Sequence, residues 1–129
     1  MELLSSRVLL RPSAFDEAVG WYRDVLGLRI YREYGVGGKA SGVVFFLGGG
    51  FLELVSGSSP VPSAPLALWL QVPDVDVEHQ RLADRGVAIT RPPKTEPWGL
   101  RECWLAGPDG TQIVLVEVPP DHPLRRRVD

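Results

Sequence analysis

The feature that most constrains the fold of this chain is an internal repeat with a period of about sixty residues. In each half, a strand-like segment leads into a helical pattern, and three more strand-like segments follow. The first half spans about residues 6–56 and the second about residues 66–118. The repeat therefore predicts an α+β fold of two βαβββ modules in tandem, with mainly antiparallel sheet.

In the first half, Arg7–Arg11 is strand-like and Pro12-Ser13 leads into a helix. Ser13 is a candidate N-cap, and Gly27 can end the helix in a left-handed conformation. Helical spacing places five apolar side chains on one face: Phe15, Ala18, Val19, Tyr22 and Leu26. Three strands are predicted after the helix: 28–34, 42–47 and 51–55. Gly48-Gly49-Gly50 permits a tight hairpin between the last two.

The second half repeats this order. It predicts a strand over 66–72, a helix from Pro73-Asp74 to Gly86, and strands over 87–90, 101–105 and 112–116. Val75, His79, Leu82 and Ala83 share one face of the helix, and Pro108-Asp109-Gly110 forms a turn. Residues 57–65 read as a linker by composition, and residues 119–129 as an extended, mobile tail. We expect one domain over residues 1–129.

The two-residue period of the strands separates two faces of each sheet. Val8 and Leu10 alternate with Arg7, Leu9 and Arg11, just as Leu68, Leu70 and Val72 alternate with Ala67, Trp69 and Gln71. The aliphatic sets are predicted to pack under the helices as the back of each sheet. The opposite face, called the front below, is mixed aromatic and polar. Two fronts closing on each other would give a curved mixed sheet around a cleft.

Composition excludes several classes of partner. The net charge of −2 gives no reason to expect nucleic acid or an anionic membrane. The single cysteine, Cys103, excludes an intrachain disulfide. The N-terminal residues lack the pattern of a signal peptide, and no apolar run approaches the ~20 residues of a membrane span. We therefore expect a cytoplasmic location.

Three segments carry a resemblance to a known family. They are "AVGWYRDVLGLRIYRE" (18–33), "LWLQVPDVDVEHQRLADRGVAI" (68–89) and "PWGLRECWLAGPDGTQIVLVE" (97–117). Together they resemble the vicinal oxygen chelate superfamily, which includes glyoxalase I, extradiol dioxygenases, fosfomycin-resistance proteins and bleomycin-resistance proteins. The resemblance covers about residues 6–118 and supports the fold. It leaves the function open, since one scaffold hosts several chemistries.

The metal-dependent members of that superfamily carry ligands on the first and closing strands of each half. The resemblance places these four positions at Arg7, Glu53, Ala67 and Val114, where only Glu53 offers a ligand atom. A divalent ion needs three or four N, O or S donors. We therefore expect no metal and no other cofactor.

The metal-free branch implies a homodimer with two equivalent clefts. Each cleft would hold a partly aromatic, antibiotic-like ligand by stacking and hydrogen bonds, without chemistry on it. We predict such a small-molecule-binding protein of the bleomycin-resistance type. The candidate ligand-binding residues are Trp69, Trp98, Trp104, Arg7, Glu53, Arg11, Gln71, Phe46, Arg101 and Glu102.

Other interpretations stay open. The tryptophans can be core residues, and Arg7 with Glu53 can be a salt bridge at a vacated metal site. An enzyme on the same scaffold is the alternative function: a glyoxalase-like lyase or isomerase, a dioxygenase-related enzyme, or a metal-free catalyst. The last would use Glu53 as general base and needs a raised pKa there. An accessory domain with a vestigial cleft is a third possibility.

Overall fold

The computed structural model describes residues 2, 4–57 and 66–122 of the chain. The chain separates into two compact units with the same order of elements, which confirms the α+β fold and the tandem βαβββ modules. Most of the predicted linker (58–65) and residues 123–129 of the predicted tail lie outside the described residues. The cleft expected between the two fronts stays a prediction.

Module one is a four-stranded sheet with one helical segment. Its elements are β1 (Arg7–Leu10), α1 (Phe15–Gly20), a π-helical turn (Trp21–Val25), β2 (Ile30–Val36), β3 (Lys39–Leu47) and β4 (Gly50–Val55). The strand order is β1-β4-β3-β2; β1 runs parallel to β4, and the other pairs are antiparallel. Gly48 and Gly49 form the predicted hairpin, in which Gly48 adopts a left-handed conformation with φ 58°.

The helical segment of module one begins one residue later than predicted. Ala14 occupies the N-cap position, one residue after the predicted Ser13, and its own side chain makes no cap hydrogen bond. The predicted apolar face is otherwise confirmed, because Ala18, Val19, Tyr22 and Leu26 are buried. The π-helical turn was not predicted, since π-bulges have no simple apolar period. Gly27 ends the segment with φ 86°, as expected.

Module two has the same architecture. Its elements are β5 (Ala67–Gln71), α2 (Val75–Asp84), β6 (Ala88–Thr95), β7 (Arg101–Ala106), a 3₁₀ turn (Pro108–Gly110) and β8 (Gln112–Glu117). The strand order is β5-β8-β7-β6, with β5 parallel to β8. The Asp74 side chain accepts hydrogen bonds from the backbone N–H groups of Asp76 and Val77, and so caps α2 as predicted. Ala83 is exposed, which corrects its placement on the buried face.

Strand β6 is longer than the sequence predicted. It was predicted to end at Thr90, two residues before Pro92 and Pro93, which have no backbone N–H to donate to a sheet. In the structure β6 is an edge strand, and its register slips between Arg91 and Lys94. Prolines are tolerated at sheet edges and bulges, so the strand continues to Thr95 and brings Arg91 onto the sheet.

No helix in the described ranges 2, 4–57 and 66–122 is long and apolar enough to span a bilayer.

Candidate functional site

One row of residues crosses the front of each sheet at the same register. In module one, the row Leu9, Glu53, Val44 and Arg32 runs from β1 to β2. In module two, the row Trp69, Val114, Trp104 and Arg91 runs from β5 to β6. The second position of the row is therefore a carboxylate in module one and a valine in module two.

In module one a short hydrogen-bond chain is built around Glu53. The Arg7 guanidinium donates to Oε1 at 2.5 Å, and the Tyr34 hydroxyl donates to Oε2 at 2.6 Å. The salt bridge expected between Arg7 and Glu53 is thus confirmed. The hydrogen bonds from Tyr34 and Arg7 hold the pKa of the Glu53 carboxyl below its usual value. The bond to Glu53 in turn raises the pKa of Tyr34.

Tyr34 reaches Glu53 because Gly42 lies directly across from it on β3. A Cβ at Gly42 would collide with the Tyr34 ring, so the absence of a side chain there makes room for the ring. Sequence reasoning missed Tyr34. The signal that could have found it is a glycine inside an otherwise apolar strand, which often marks a close approach.

An aromatic group lies on the same front. The ring of Tyr31 meets those of Phe46 and Phe51 edge to face, with centroids 5.1 and 4.9 Å apart. Tyr31 and Phe46 are about half exposed, and the Arg7 guanidinium lies 5.7 Å from the Phe51 centroid. Phe46 was a candidate ligand residue, and the structure places it in this exposed group.

In module two, five residues form what we call the tryptophan–carboxylate cluster: Arg91, Glu96, Trp98, Glu102 and Trp104. The indole N–H of Trp98 donates to Glu102 Oε2, and that of Trp104 donates to Glu102 Oε1, both at 3.1 Å. Glu102 is only 7% exposed, whereas Trp98 is 57% exposed. A buried carboxylate therefore fixes the orientation of an exposed tryptophan ring.

Arg91 connects the rest of this cluster. Its Nη2 donates to Glu96 Oε1 and lies 3.7 Å from Glu102 Oε1. Its guanidinium carbon lies 3.8 Å from the centroid of the Trp104 ring, which is a cation–π stack. Arg91 and Glu96 were not predicted, because β6 was expected to end before them.

The loop that carries Trp98 is held from two sides. Backbone bonds join Glu96 N–H to Leu100 O and Gly99 N–H to Glu96 O, and Gly99 is left-handed with φ 94°. The ring of His122 lies 3.1 Å, through Nε2, from the Trp98 carbonyl oxygen. His122 belongs to the segment predicted as a mobile tail, but residues 119–122 form a turn against this loop.

The two other tryptophans of the predicted site differ in burial. Trp104 is half-buried against an apolar cluster of Leu100, Val114, Val116 and Val118. Trp69 is 50% exposed on β5, across from Val114. Both tryptophans lie in the front row, as predicted, and Trp104 combines a packing role with its place in the cluster.

Three predicted residues stand apart from these groups. Arg101 makes two hydrogen bonds of 2.8 Å to Asp76 at the start of α2, and these bonds lower the pKa of the Asp76 carboxyl. Arg11 and Gln71 are exposed. The structure thus assembles Trp98, Glu102 and Trp104 in one module and Arg7 with Glu53 in the other.

Asp74, Asp76 and Glu117 bring three carboxylates together at the start of α2. Each has a partner of its own. Asp74 caps the helix, Asp76 pairs with Arg101, and Glu117 Oε1 accepts from the Val75 N–H at 2.9 Å. The group is explained as the N-terminal cap of α2, where negative charge is favourable.

The four positions that the metal-dependent relatives use do not fit a divalent ion. Arg7 and Glu53 pair with each other, and the second oxygen of Glu53 accepts from Tyr34. Ala67 and Val114 offer no ligand atom. A guanidinium paired with the one carboxylate among these positions opposes binding of a divalent cation, which needs three or four donors.

The sequence pattern of the Glyoxalase/Bleomycin resistance protein/Dioxygenase superfamily matches residues 5–115. No curated protein matches the chain.

Several solved structures are similar to this chain. TioX from Micromonospora sp. ML1 has a TM-score of 0.75 at 23% identity, covering 89% of this chain and 98% of TioX. TnmS3, an antibiotic binding protein from Streptomyces sp. CB03234, has a TM-score of 0.73 at 27% identity, covering 92% and 98%. A lactoylglutathione lyase from Agrobacterium tumefaciens has a TM-score of 0.68 at 20% identity, covering 86% and 90%. Binders and enzymes thus share this fold.

Proposed function

The chain belongs to the Glyoxalase/Bleomycin resistance protein/Dioxygenase superfamily, and we propose that it is a binding protein for a partly aromatic, antibiotic-like small molecule. It would retain the ligand without chemical change, as in sequestration. The similarity to TnmS3, which is an antibiotic binding protein, supports this proposal.

The observation that carries the proposal is the pairing of exposure with fixed orientation at Trp98. An exposed tryptophan leaves a large apolar area in water, and a flexible one would lose conformational freedom on binding. Trp98 has its indole N–H bonded to buried Glu102 and its loop held by backbone bonds. Stacking of a flat ligand on such a ring contributes about 0.5–1.5 kcal/mol beyond the burial of area.

Trp69 and the aromatic group of module one are further exposed rings, each on the front of its own module. Trp69 is half exposed on the front of β5, and Phe46 and Tyr31 are half exposed on the front of module one. Scattered exposed apolar residues need no explanation, but large rings concentrated on two sheet fronts favour a binding role.

The chemistry around Glu53 favours binding over catalysis. A general base works best with a pKa near the operating pH. Hydrogen bonds from Tyr34 and Arg7 move the pKa of Glu53 the other way, below its ordinary value. The carboxylate is therefore a weak base, suited to orienting a ligand or neighbouring side chains.

A titration with natural-product antibiotics, metal-loaded bleomycin among them, tests the proposal through tryptophan fluorescence, with and without chelator. We expect saturable quenching at micromolar ligand or below, unchanged by chelation of any protein metal. Trp69→Ala and Trp98→Ala should each weaken binding about tenfold. Trp21→Phe is the matched control, because Trp21 packs on Tyr22 beside the helix of module one.

Two results would contradict the proposal. The absence of any response across the panel would remove the binding function. Recovery of a chemically altered ligand after incubation would favour the alternative, an enzyme on the same scaffold.

A homodimer forms part of the proposal, because the metal-free relatives imply one. Sedimentation equilibrium tests it: the expected mass is twice the 14.2 kDa of the chain, and a monomer at micromolar concentration would contradict it.

A further inference from the structure

The tryptophan–carboxylate cluster contains two carboxylates and one guanidinium, and the next cation by register, Lys94 across from Glu102 on β6, has an exposed side chain. Among the ion pairs of the described residues, Glu96 and Glu102 share one guanidinium, that of Arg91. Both carboxylates are buried, at 5% and 7% exposure. A buried charge without a full counter-charge is costly, because desolvation is not offset by attraction. The cluster therefore has an electrostatic preference for one more cation.

The cluster also shows which shape of cation it accommodates. The Arg91 guanidinium is planar and lies 3.8 Å from the centroid of the Trp104 ring while it bonds to Glu96. A flat cation stacked on an indole gains a cation–π attraction of about 0.5–2 kcal/mol, depending on its desolvation. A bound ligand of the same shape and charge would find a second indole face at Trp98, whose exposed ring is anchored to the carboxylate of Glu102.

We propose that this cluster is a site for a flat cationic group of the ligand, such as an amidinium, a guanidinium or a protonated aromatic amine. The proposal rests on the binding function proposed above and narrows its ligand class. Each carboxylate offers about four acceptor positions. Glu102 uses two of them for the indole N–H groups of Trp98 and Trp104, so it can accept further bonds from a ligand.

In this proposal, the Arg91 side chain competes with the cationic group of the ligand for the two carboxylates. Its Nε is buried and has no hydrogen-bond partner among the described residues. An unsatisfied buried donor costs free energy, and this cost weakens the binding of the Arg91 side chain within the cluster. Its removal should therefore leave both carboxylates, and one face of Trp104, to an external cation.

Three naphthalene probes of one shape test the charge preference: 2-naphthamidine (cation), 2-naphthamide (neutral) and 2-naphthoate (anion). Binding is measured by calorimetry and by shifts of the indole N–H signals in nitrogen–proton NMR spectra, assigned through single Trp→Phe variants. We expect the amidine to bind at least about tenfold more tightly than the amide, with shifts at Trp98 and Trp104. The naphthoate should bind most weakly.

Charge variants show whether the preference for a cation comes from the cluster or from the net charge of the protein. Glu102→Gln removes the charge and keeps one acceptor oxygen, enough for one of the two indole N–H groups, and should abolish the preference for the amidine. Glu78→Gln removes the same charge on α2, where Glu78 pairs with Arg81, and should leave the preference intact. Arg91→Gln should tighten amidine binding severalfold.

The outcomes distinguish this inference from the proposed function. Equal binding of amidine and amide would overturn the cation preference while leaving a binder of neutral aromatic molecules. An amidine preference that survives Glu102→Gln, or shifts confined to other tryptophans, would also overturn it. Failure of all three probes and of the antibiotic panel would overturn both.

Discussion

The two modules have the same strand order and the same register. The second residue of the front row is nevertheless Glu53 in module one and Val114 in module two. Around Glu53 lie a guanidinium and a phenol, each of which donates to one of its two oxygens. Around Val114 lie two tryptophans, and the charged residues are displaced to the β6 side of the sheet. The same scaffold thus places its charges at different points.

The numbers of positive and negative groups on the front also differ between the two modules. The front of module one has two guanidiniums near one carboxylate, because Arg32 stacks on Tyr34 while Arg7 bonds to Glu53. The cluster of module two has one guanidinium for two carboxylates. The repeated sheet therefore sets the direction of each side chain, whereas the residue type at equivalent positions can differ between the modules. Function follows the side chains on the scaffold.

The largest effect that would sharpen this contrast is expected at Trp104. Its ring packs on the apolar cluster around Val114, so Trp104→Ala should lower the free energy of unfolding by about 3 kcal/mol. Trp69→Ala, a matched truncation in the same row, should cost under about 1 kcal/mol because half of the ring is exposed. Urea-induced unfolding measures both. Equal losses in the free energy of unfolding would show that Trp104 and Trp69 contribute equally to packing, and would contradict this contrast.

A smaller effect is expected at Gly42 in module one. A methyl group there would collide with the Tyr34 ring, so Gly42→Ala should cost about 2 kcal/mol in stability. It should also return the pKa of Tyr34 toward its usual value, measured by ultraviolet titration, since the bond to Glu53 is lost. Gly20→Ala is the control: an added methyl group meets nothing in α1 and should stabilise by about 0.5–1 kcal/mol. An unchanged tyrosine titration in Gly42→Ala would contradict this role of the glycine.

The smallest effect concerns the pH dependence of stability. The pKa of Glu53 in the folded protein lies below its ordinary value of 4.5. The unfolded chain therefore takes up this proton first, and the stabilisation is complete above that value and lost as the pH falls below it. Glu53→Gln should cost about 1 kcal/mol at neutral pH, and this difference should shrink below pH of about 4. Glu33→Gln, which removes the same charge from an exposed position on β2, is the control.

Much of the fold was predictable because its signals are local. The two-residue alternation of Leu68, Trp69 and Leu70 separated a buried back from an exposed front, and the capping residue Asp74 marked the start of α2. The site was predicted only in part. Trp98, Trp104 and Glu102 were found as a dense aromatic and polar segment, whereas Arg91 and Glu96 were missed because the strand was predicted to end at Thr90.

The sequence by itself determined the repeat, the α+β class and the two faces of the first strand of each module, because periodicity and turn residues act over a few neighbours. Only the tertiary structure decided which of those side chains meet. Tyr34 reaches Glu53 across a glycine, Arg101 pairs with Asp76 of the helix, and one buried carboxylate binds two indoles. These contacts depend on register, on edge position and on the desolvation of charge, which are properties of the assembled sheet.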